Sequence, residues 1–277
     1  GKVARRDADR ALLARTKIRS LRANPIFETP RRSGEPAPPS DPALPIGHVG
    51  EERVCYVCRS RTTAVHWFYD QMCLSCGDYN HGKRSQSAEL GGRTALVTGG
   101  RVKIGFQAAI MLLRAGARVI SLTRFPVDAA ARFAKESDFD DWSSRLEIHG
   151  LDLRHTPSVE ALCRRILDRH DRLDFIINNA CQTVRRPPAF YQHMMQRELS
   201  TSLDAATQSL VASSAGRGAL PAAALSQLRL LDEDHLDPTA LFPADRLDAD
   251  LQQVDLRTEN SWRLQMDRVS TVELLEV

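Results

Sequence analysis

The sequence predicts an α/β protein in which a doubly wound parallel sheet, incomplete in this chain, follows a small cysteine-rich segment. Two observations carry the prediction. Between Gly91 and Cys181, short apolar runs alternate with stretches of helical spacing, and parallel strands need such crossovers to share one sheet. Ahead of that pattern, four of the six cysteines stand as two Cys-x2-Cys pairs. The chain thus divides into a basic helix with a Pro-rich linker (1–50), a cysteine segment (51–88), an α/β half (89–181) and a further helical stretch (182–277).

With 277 residues, 42% of them hydrophobic, the chain has material for one medium domain plus attachments. A formal net charge of +3 hides an asymmetry. Residues 1–50 hold ten Lys/Arg and five Asp/Glu, whereas residues 231–277 hold four Arg and twelve Asp/Glu. No stretch approaches the roughly 18–20 apolar residues that span a bilayer, and the opening GKVARRDADR lacks the apolar core of a secretory signal. Arg5 stands where a myristoylation signal wants Ser or Thr. The expectation is a cytoplasmic protein with no membrane partner. A basic arm can mark nucleic acid, but no aromatic residue interleaves with these charges before Phe27. A solvated basic helix is therefore favoured, and nucleic acid is not the expected partner.

Each element follows from local pattern. Residues 7–23 place Leu13, Lys17 and Leu21 along one helical stripe. The Pro-rich run 24–48 can neither propagate a helix nor pair as an inner strand, and reads as an extended linker. RTALVTGG (93–100) is a buried strand and 104–115 its helix. ARVISLTR (117–124) and 126–136 repeat the unit. RLEIHGLDL (145–153) is the third strand, and PSVEALCRRILDRH (157–170) the third helix, with Cys163 on its core face beside Val159 and Ile166. LDFIINNA (173–180) is the fourth strand. Beyond Cys181 the alternation stops. Residues 196–256 read as irregular helices outside the sheet, and 258–277 resume helical spacing.

Thiolates two residues apart reach one tetrahedral ion from a tight knuckle, and two knuckles close the shell. Cys55, Cys58, Cys73 and Cys76 therefore predict a structural zinc site. Redox or disulfide chemistry is the alternative, disfavoured by the expected compartment. His66 and His81 are read as lying outside the site, because four thiolates already fill it. Such a segment has little core of its own, so the metal would supply its folding energy.

TGGRVKIG, Thr98 to Gly105, sits between the first strand and its helix. A glycine-bearing turn there aims main-chain amides and the helix dipole at a phosphate. Arg124 closes the second strand, where a ribose-reading residue belongs, and a cation suits a 2′-phosphate. Asp152 follows the third strand, placed to accept from an adenine edge. NNAC (178–181) closes the fourth, at the carboxyl edge where open α/β sheets bind ligands.

On these residues the sequence resembles the short-chain dehydrogenase/reductase family. That family carries TGxxxGxG after the first strand, a D-L pair after the third and NNAG after the fourth. The resemblance covers about residues 91–181. It implies a Rossmann-like fold and an NAD(P)-dependent oxidoreductase acting on a small carbonyl or alcohol. It also implies cofactor contacts from Thr98, Gly99, Ile104, Gly105, Asp152, Leu153, Asn178 and Ala180. NADP is preferred over NAD because of Arg124. Lys103 departs from the pattern by replacing the middle glycine. Either its ammonium joins Arg101 at the phosphates, or it points to solvent and the loop shifts. Cys181 replaces the final glycine.

The family's catalytic Ser and its YxxxK pair have no match after Cys181, since Tyr191 is followed four residues later by Met195. YNHGK, Tyr79 to Lys83, precedes the first strand and so falls outside the family's catalytic helix. No catalytic residue is assigned, and whether the chain is itself an enzyme stays open. VSTVELLEV resembles the start of the family's next helix. The expectation is an N-terminal portion of a longer oxidoreductase, or a catalytically silent relative. The extra residues after Cys181 read as an insertion, a substrate lid or a contact surface, and homo-oligomer formation stays open. The alternative function is a zinc-dependent partner- or nucleic-acid-binding module on a Rossmann scaffold.

Overall fold

The computed structural model describes residues 2–23, 44–182, 184–200, 203–212, 220–235, 240–243, 246–248 and 252–276. They fall into two units, Gly1–Ala88 and Glu89–Val277. Most of the expected linker, 24–43, lies outside the described residues.

In the first unit the single helix expected over 7–23 is two helices, α1 (Lys2–Ala14) and α2 (Lys17–Arg22). The break has a tertiary cause. Thr16 is buried and its Oγ1 donates to the Leu13 carbonyl at 2.7 Å. The next two amides, Lys17 and Ile18, donate to the carbonyls of Trp67 and Phe68 at 3.1 and 2.9 Å. Those bonds replace intrahelical ones, and propensity alone could not foresee them. The cysteine segment carries an antiparallel hairpin, β1 (His48–Val54) with β2 (Arg61–Ala64), followed by α3 (Leu74–Arg84). The buried Asp70 carboxylate ties α2 to this unit by accepting from Arg19 at 2.7 Å.

The second unit is the doubly wound sheet. Its strands are β3 (Thr94–Thr98), β4 (Arg118–Thr123), β5 (Leu146–Gly150) and β6 (Phe175–Ile177). The crossovers are α4 (Lys103–Arg114), α5 (Pro126–Phe133) with the short α6 (Phe139–Trp142), and α7 (Thr156–Arg169). All neighbours pair in parallel, in the order β6-β3-β4-β5 plus one added strand. Successive side chains of β4 show why helices cover both faces. Val119 packs with Phe106, Ile110, Leu113 and Phe133, whereas Ile120 and Leu122 pack with Leu151, Leu162 and Ile166. Cys163, expected in that second core, is exposed. The buried stripe of α7 runs through Leu162 and Ile166, and Cys163 lies one residue, about 100°, around the helix.

The region after Cys181 is not wholly outside the sheet. It forms α8 (Gln192–Ser200), α9 (Ala205–Leu210), β7 (Val211–Ala212), α10 (Ala222–Leu225) and α11 (Thr271–Glu276). The two residues of β7 pair in parallel with Ile148 and His149 of β5. A two-residue strand has no periodicity to read, yet it covers one sheet edge. At the other edge β6 presents Ile176, which is 60% exposed.

Glu147 in β5 is held down to about 2 from an ordinary 4.5, chiefly by hydrogen bonding to His149 and then by the charges of His170 and Arg118. The nearest nitrogens of His149, His170 and Arg118 lie at 3.6, 3.5 and 3.3 Å. A carboxylate depressed in the fold contributes stability that is present above its unfolded value and lost as pH falls toward the folded one. Glu147→Gln is therefore expected to lower the urea midpoint at pH 6, with the gap to the parent closing as pH falls from about 4.5 toward 2. A gap independent of pH would refute that role.

Candidate functional site

Four thiols converge in the first unit. Cys55 and Cys58 flank a tight knuckle in which the Cys55 amide donates to the Ser60 carbonyl at 2.8 Å. Arg59 takes a left-handed φ of +64° to close it. Cys73 sits at the N-cap of α3 and Cys76 in its first turn. All four sulfurs lie within 4.8 Å of one another, and all four cysteines are free thiols. Zinc–sulfur bonds of about 2.3 Å imply tetrahedral edges of about 3.8 Å, and the Cys58 and Cys73 sulfurs are 3.7 Å apart. The Ser75 hydroxyl leads in lowering the Cys73 thiol to about 6. The Cys76 thiol, hydrogen-bonded to Cys73, is pushed up to about 12 chiefly by that bond. Crowded thiols resist joint ionisation, which is the donor chemistry a divalent cation relieves.

The neighbouring histidines are engaged elsewhere. His66 is fully buried; its Nδ1 accepts from the amides of Phe68 and Tyr69, and its Nε2 lies 3.1 Å from Asp78. Burial lowers its pKa, and two amides on Nδ1 fix the neutral ring. His81 stands edge-on to Trp67, 4.6 Å between centroids. Tyr79 and Lys83 are in α3 of the first unit, with the ammonium 5.1 Å from the ring centroid.

In the second unit the turn after β3 is built by close approach. Thr98 is buried, and its Oγ1 accepts from the amides of Asn179 and Ala180, both at 2.9 Å. The Asn179 side-chain amide in turn donates to the carbonyls of Thr98 and Gly99 at 3.1 and 3.3 Å. Gly99 has φ +69°, and a Cβ on Gly105 would stand 2.2 Å from the Gly99 carbonyl oxygen. The first-turn amides of α4, at Lys103, Ile104 and Gly105, have no intrahelical acceptor and open at this turn. Lys103 adopts φ +54°. The lysine thus keeps a glycine's backbone conformation, at a cost of about 1–2 kcal/mol, and its exposed ammonium lies 3.8 Å from Asp248.

The remaining candidates line the carboxyl edge of the sheet. Ile104, Leu153, Asn178, Ala180 and Cys181 are exposed. Asp152 is buried and receives Arg154 on both oxygens, which helps hold its carboxyl below the ordinary range despite burial. Arg101 is buried, donating to Asp128 at 2.8 Å and to Gln252 at 2.7 Å. Arg124 is half-buried against Tyr191. The sequence thus brought the turn, Asp152 and the NNA residues to one edge. It missed Asn179 as the clamp, although the residue lies inside the motif. It also missed Tyr191, Asp248 and Gln252, which carry no motif and reach this edge only through the insertion.

Gly105→Ala is expected to destabilise the second unit by about 1–3 kcal/mol, because backbone must move to admit the methyl. Lys103→Gly is expected to leave the urea midpoint unchanged or raised, since relief of the left-handed strain offsets glycine's entropy. A marked loss on Lys103→Gly would show that the Asp248 contact outweighs the strain.

Residues 93–215 match the model of the short chain dehydrogenase family. The chain is 41% identical over 137 residues to "Uncharacterized protein R665" of Acanthamoeba polyphaga mimivirus, covering 48% of this chain and 29% of that protein. It is 37% identical over 98 residues to retinol dehydrogenase 14 of Mus musculus, covering 32% of this chain and 29% of that one. The matched part is thus less than a third of these relatives' length. Among solved structures, a putative short chain dehydrogenase from Escherichia coli CFT073 complexed with NADPH aligns with TM-score 0.31 and 28% identity, over 45% of this chain and 52% of that one. The family-model match, the motifs and the parallel sheet all fall on the same stretch, and over residues 93–215 the chain is similar to the short-chain dehydrogenase/reductase family.

Proposed function

We propose that this chain is the nucleotide-binding part of an NAD(P)-dependent oxidoreductase, with NADP(H) preferred and a structural zinc ion in the first unit. The observation that carries the reading is the turn at Thr98–Gly105, whose glycine geometry and uncapped helix amides open at the carboxyl edge of a parallel sheet. The nicotinamide, when bound, would give a hydride to a small carbonyl in its reduced form or take one from the corresponding alcohol in its oxidised form. The chain's own residues bind and orient. The α4 amides meet the diphosphate, Lys103 adds a cation in exchange for Asp248, and Ile104 and Leu153 offer apolar surface. Arg124 meets a 2′-phosphate. Thr98 serves from beneath by fixing the turn to β6. The proton-transferring groups of the reaction are not assigned to this chain.

Calorimetric titration of the 277-residue chain is expected to show binding of NADPH, and weaker binding of NADH. No binding of either dinucleotide at about millimolar concentration, a free energy near 4 kcal/mol, would overturn the proposal. Metal analysis is expected to return about one zinc per chain, and Cys73→Ser to remove it and unfold the first unit, read by loss of α3 helicity. Fully folded metal-free protein would sink the zinc assignment.

One observation favours a second reading. Tyr56 and Val57 are 65% and 50% exposed at the knuckle tip, with the Arg59 guanidinium 5.8 Å from the Tyr56 ring. Exposed aromatic and Arg groups can stack single-stranded bases. Salt-dependent oligonucleotide binding that Tyr56→Ala removes would support a binding role for this segment, and its absence would dismiss one.

A further inference from the structure

The arginines at the nucleotide edge differ in what holds them. Arg101 ion-pairs with Asp128 at 2.8 Å and Arg154 with Asp152 at 2.6 Å. Arg124 is held otherwise. Its Nη2 donates to the Tyr191 hydroxyl at 2.5 Å, and its guanidinium carbon stands 4.4 Å from the Tyr191 ring centroid. Among the described residues no carboxylate lies within ion-pairing distance of it.

That difference has a chemical consequence. A carboxylate partner would fix the guanidinium but cancel its charge and repel an incoming phosphate. An aromatic ring with a hydroxyl fixes the same group and leaves its full charge. Tyr191 is itself anchored. It is buried at the end of a 3-10 turn, Pro188–Tyr191, with ring centroids of Phe125 and Phe190 at 5.4 and 5.0 Å. Met194, Ala223 and Phe242 complete the cluster, most of it drawn from the region after Cys181. Without this anchor, a long flexible side chain would sample many rotamers at the end of β4.

We infer that Tyr191 is a positioning residue that holds Arg124, without a direct ion-pair partner, for the 2′-phosphate and so sets discrimination between NADPH and NADH. The inference rests on the proposed role of Arg124 as the reader of that phosphate. It gives part of the insertion a task that the family motifs do not contain.

The experiment compares dissociation constants for NADPH and NADH in the full chain, for the parent, Tyr191→Phe, Tyr191→Ala and Arg124→Ala. Tyr191→Ala is expected to weaken NADPH about ten-fold while NADH stays within about two-fold, given typical cation–π and charged hydrogen-bond strengths. Tyr191→Phe keeps the ring, so it folds as the parent and is expected to weaken NADPH by a smaller factor, about three-fold. Arg124→Ala is expected to bring the two affinities together. If Arg124→Ala does so but neither Tyr191 variant alters the ratio, the inference falls and the role of Arg124 stands. Equal losses for both dinucleotides in the Tyr191 variants would likewise overturn it, as a purely structural effect. An unchanged ratio in Arg124→Ala would overturn the reading of Arg124 itself, and the inference with it.

Discussion

The Thr98 hydroxyl and the Asn179 side-chain amide fasten the ends of two neighbouring strands to each other. Everything at the nucleotide edge depends on that fastening. β3 and β6 pair over only three residues, so the ladder alone would leave their carboxyl ends loose. The clamp brings the Ala180 backbone so close that a Cβ on Gly99 would stand 3.1 Å from its Cα. It leaves so little room above the turn that α4 can begin only with a glycine at 105. Local conformation here is set by a contact between segments some eighty residues apart, and buried polar groups are satisfied by the same contact.

The turn tolerates one irregularity because the rest is over-determined. Lys103 occupies a left-handed conformation that disfavours a side chain. It persists because Val102 and Ile104 on either side are fixed by the start of α4. Such strain is common where a backbone must present amides to a ligand. The side chain points outward, so the substitution alters the charge near the turn and leaves the turn's path intact.

The two units draw stability from different sources. The sheet buries Phe106, Ile110, Leu113, Phe133, Trp142 and Ile148 in one cluster and a second cluster on its other face. That is the ordinary hydrophobic route. The first unit buries few large side chains, among them Phe68 and Val65 around a buried neutral His66. Gly77 is required there because a Cβ would stand 2.4 Å from the His66 ring. A small unit of this kind gains disproportionately from a cross-link among its four sulfurs.

The sequence by itself determined the parallel sheet, its four main strands and the residues at its carboxyl edge, because alternating apolar runs and helical spacing are local signals that survive folding. It also determined the four convergent thiols, since Cys-x2-Cys spacing constrains geometry within a few residues. The break at Thr16, the β7 strand and the exposure of Cys163 were decided by the tertiary structure. So were the partners of the edge arginines: Asp128 and Gln252 for Arg101, Asp248 for Lys103, Tyr191 for Arg124. These partners stand some 27 to 151 residues away along the chain from the groups they meet. No window of sequence contains both members of such a pair, so only the packed chain could choose which charges are cancelled and which remain for a ligand.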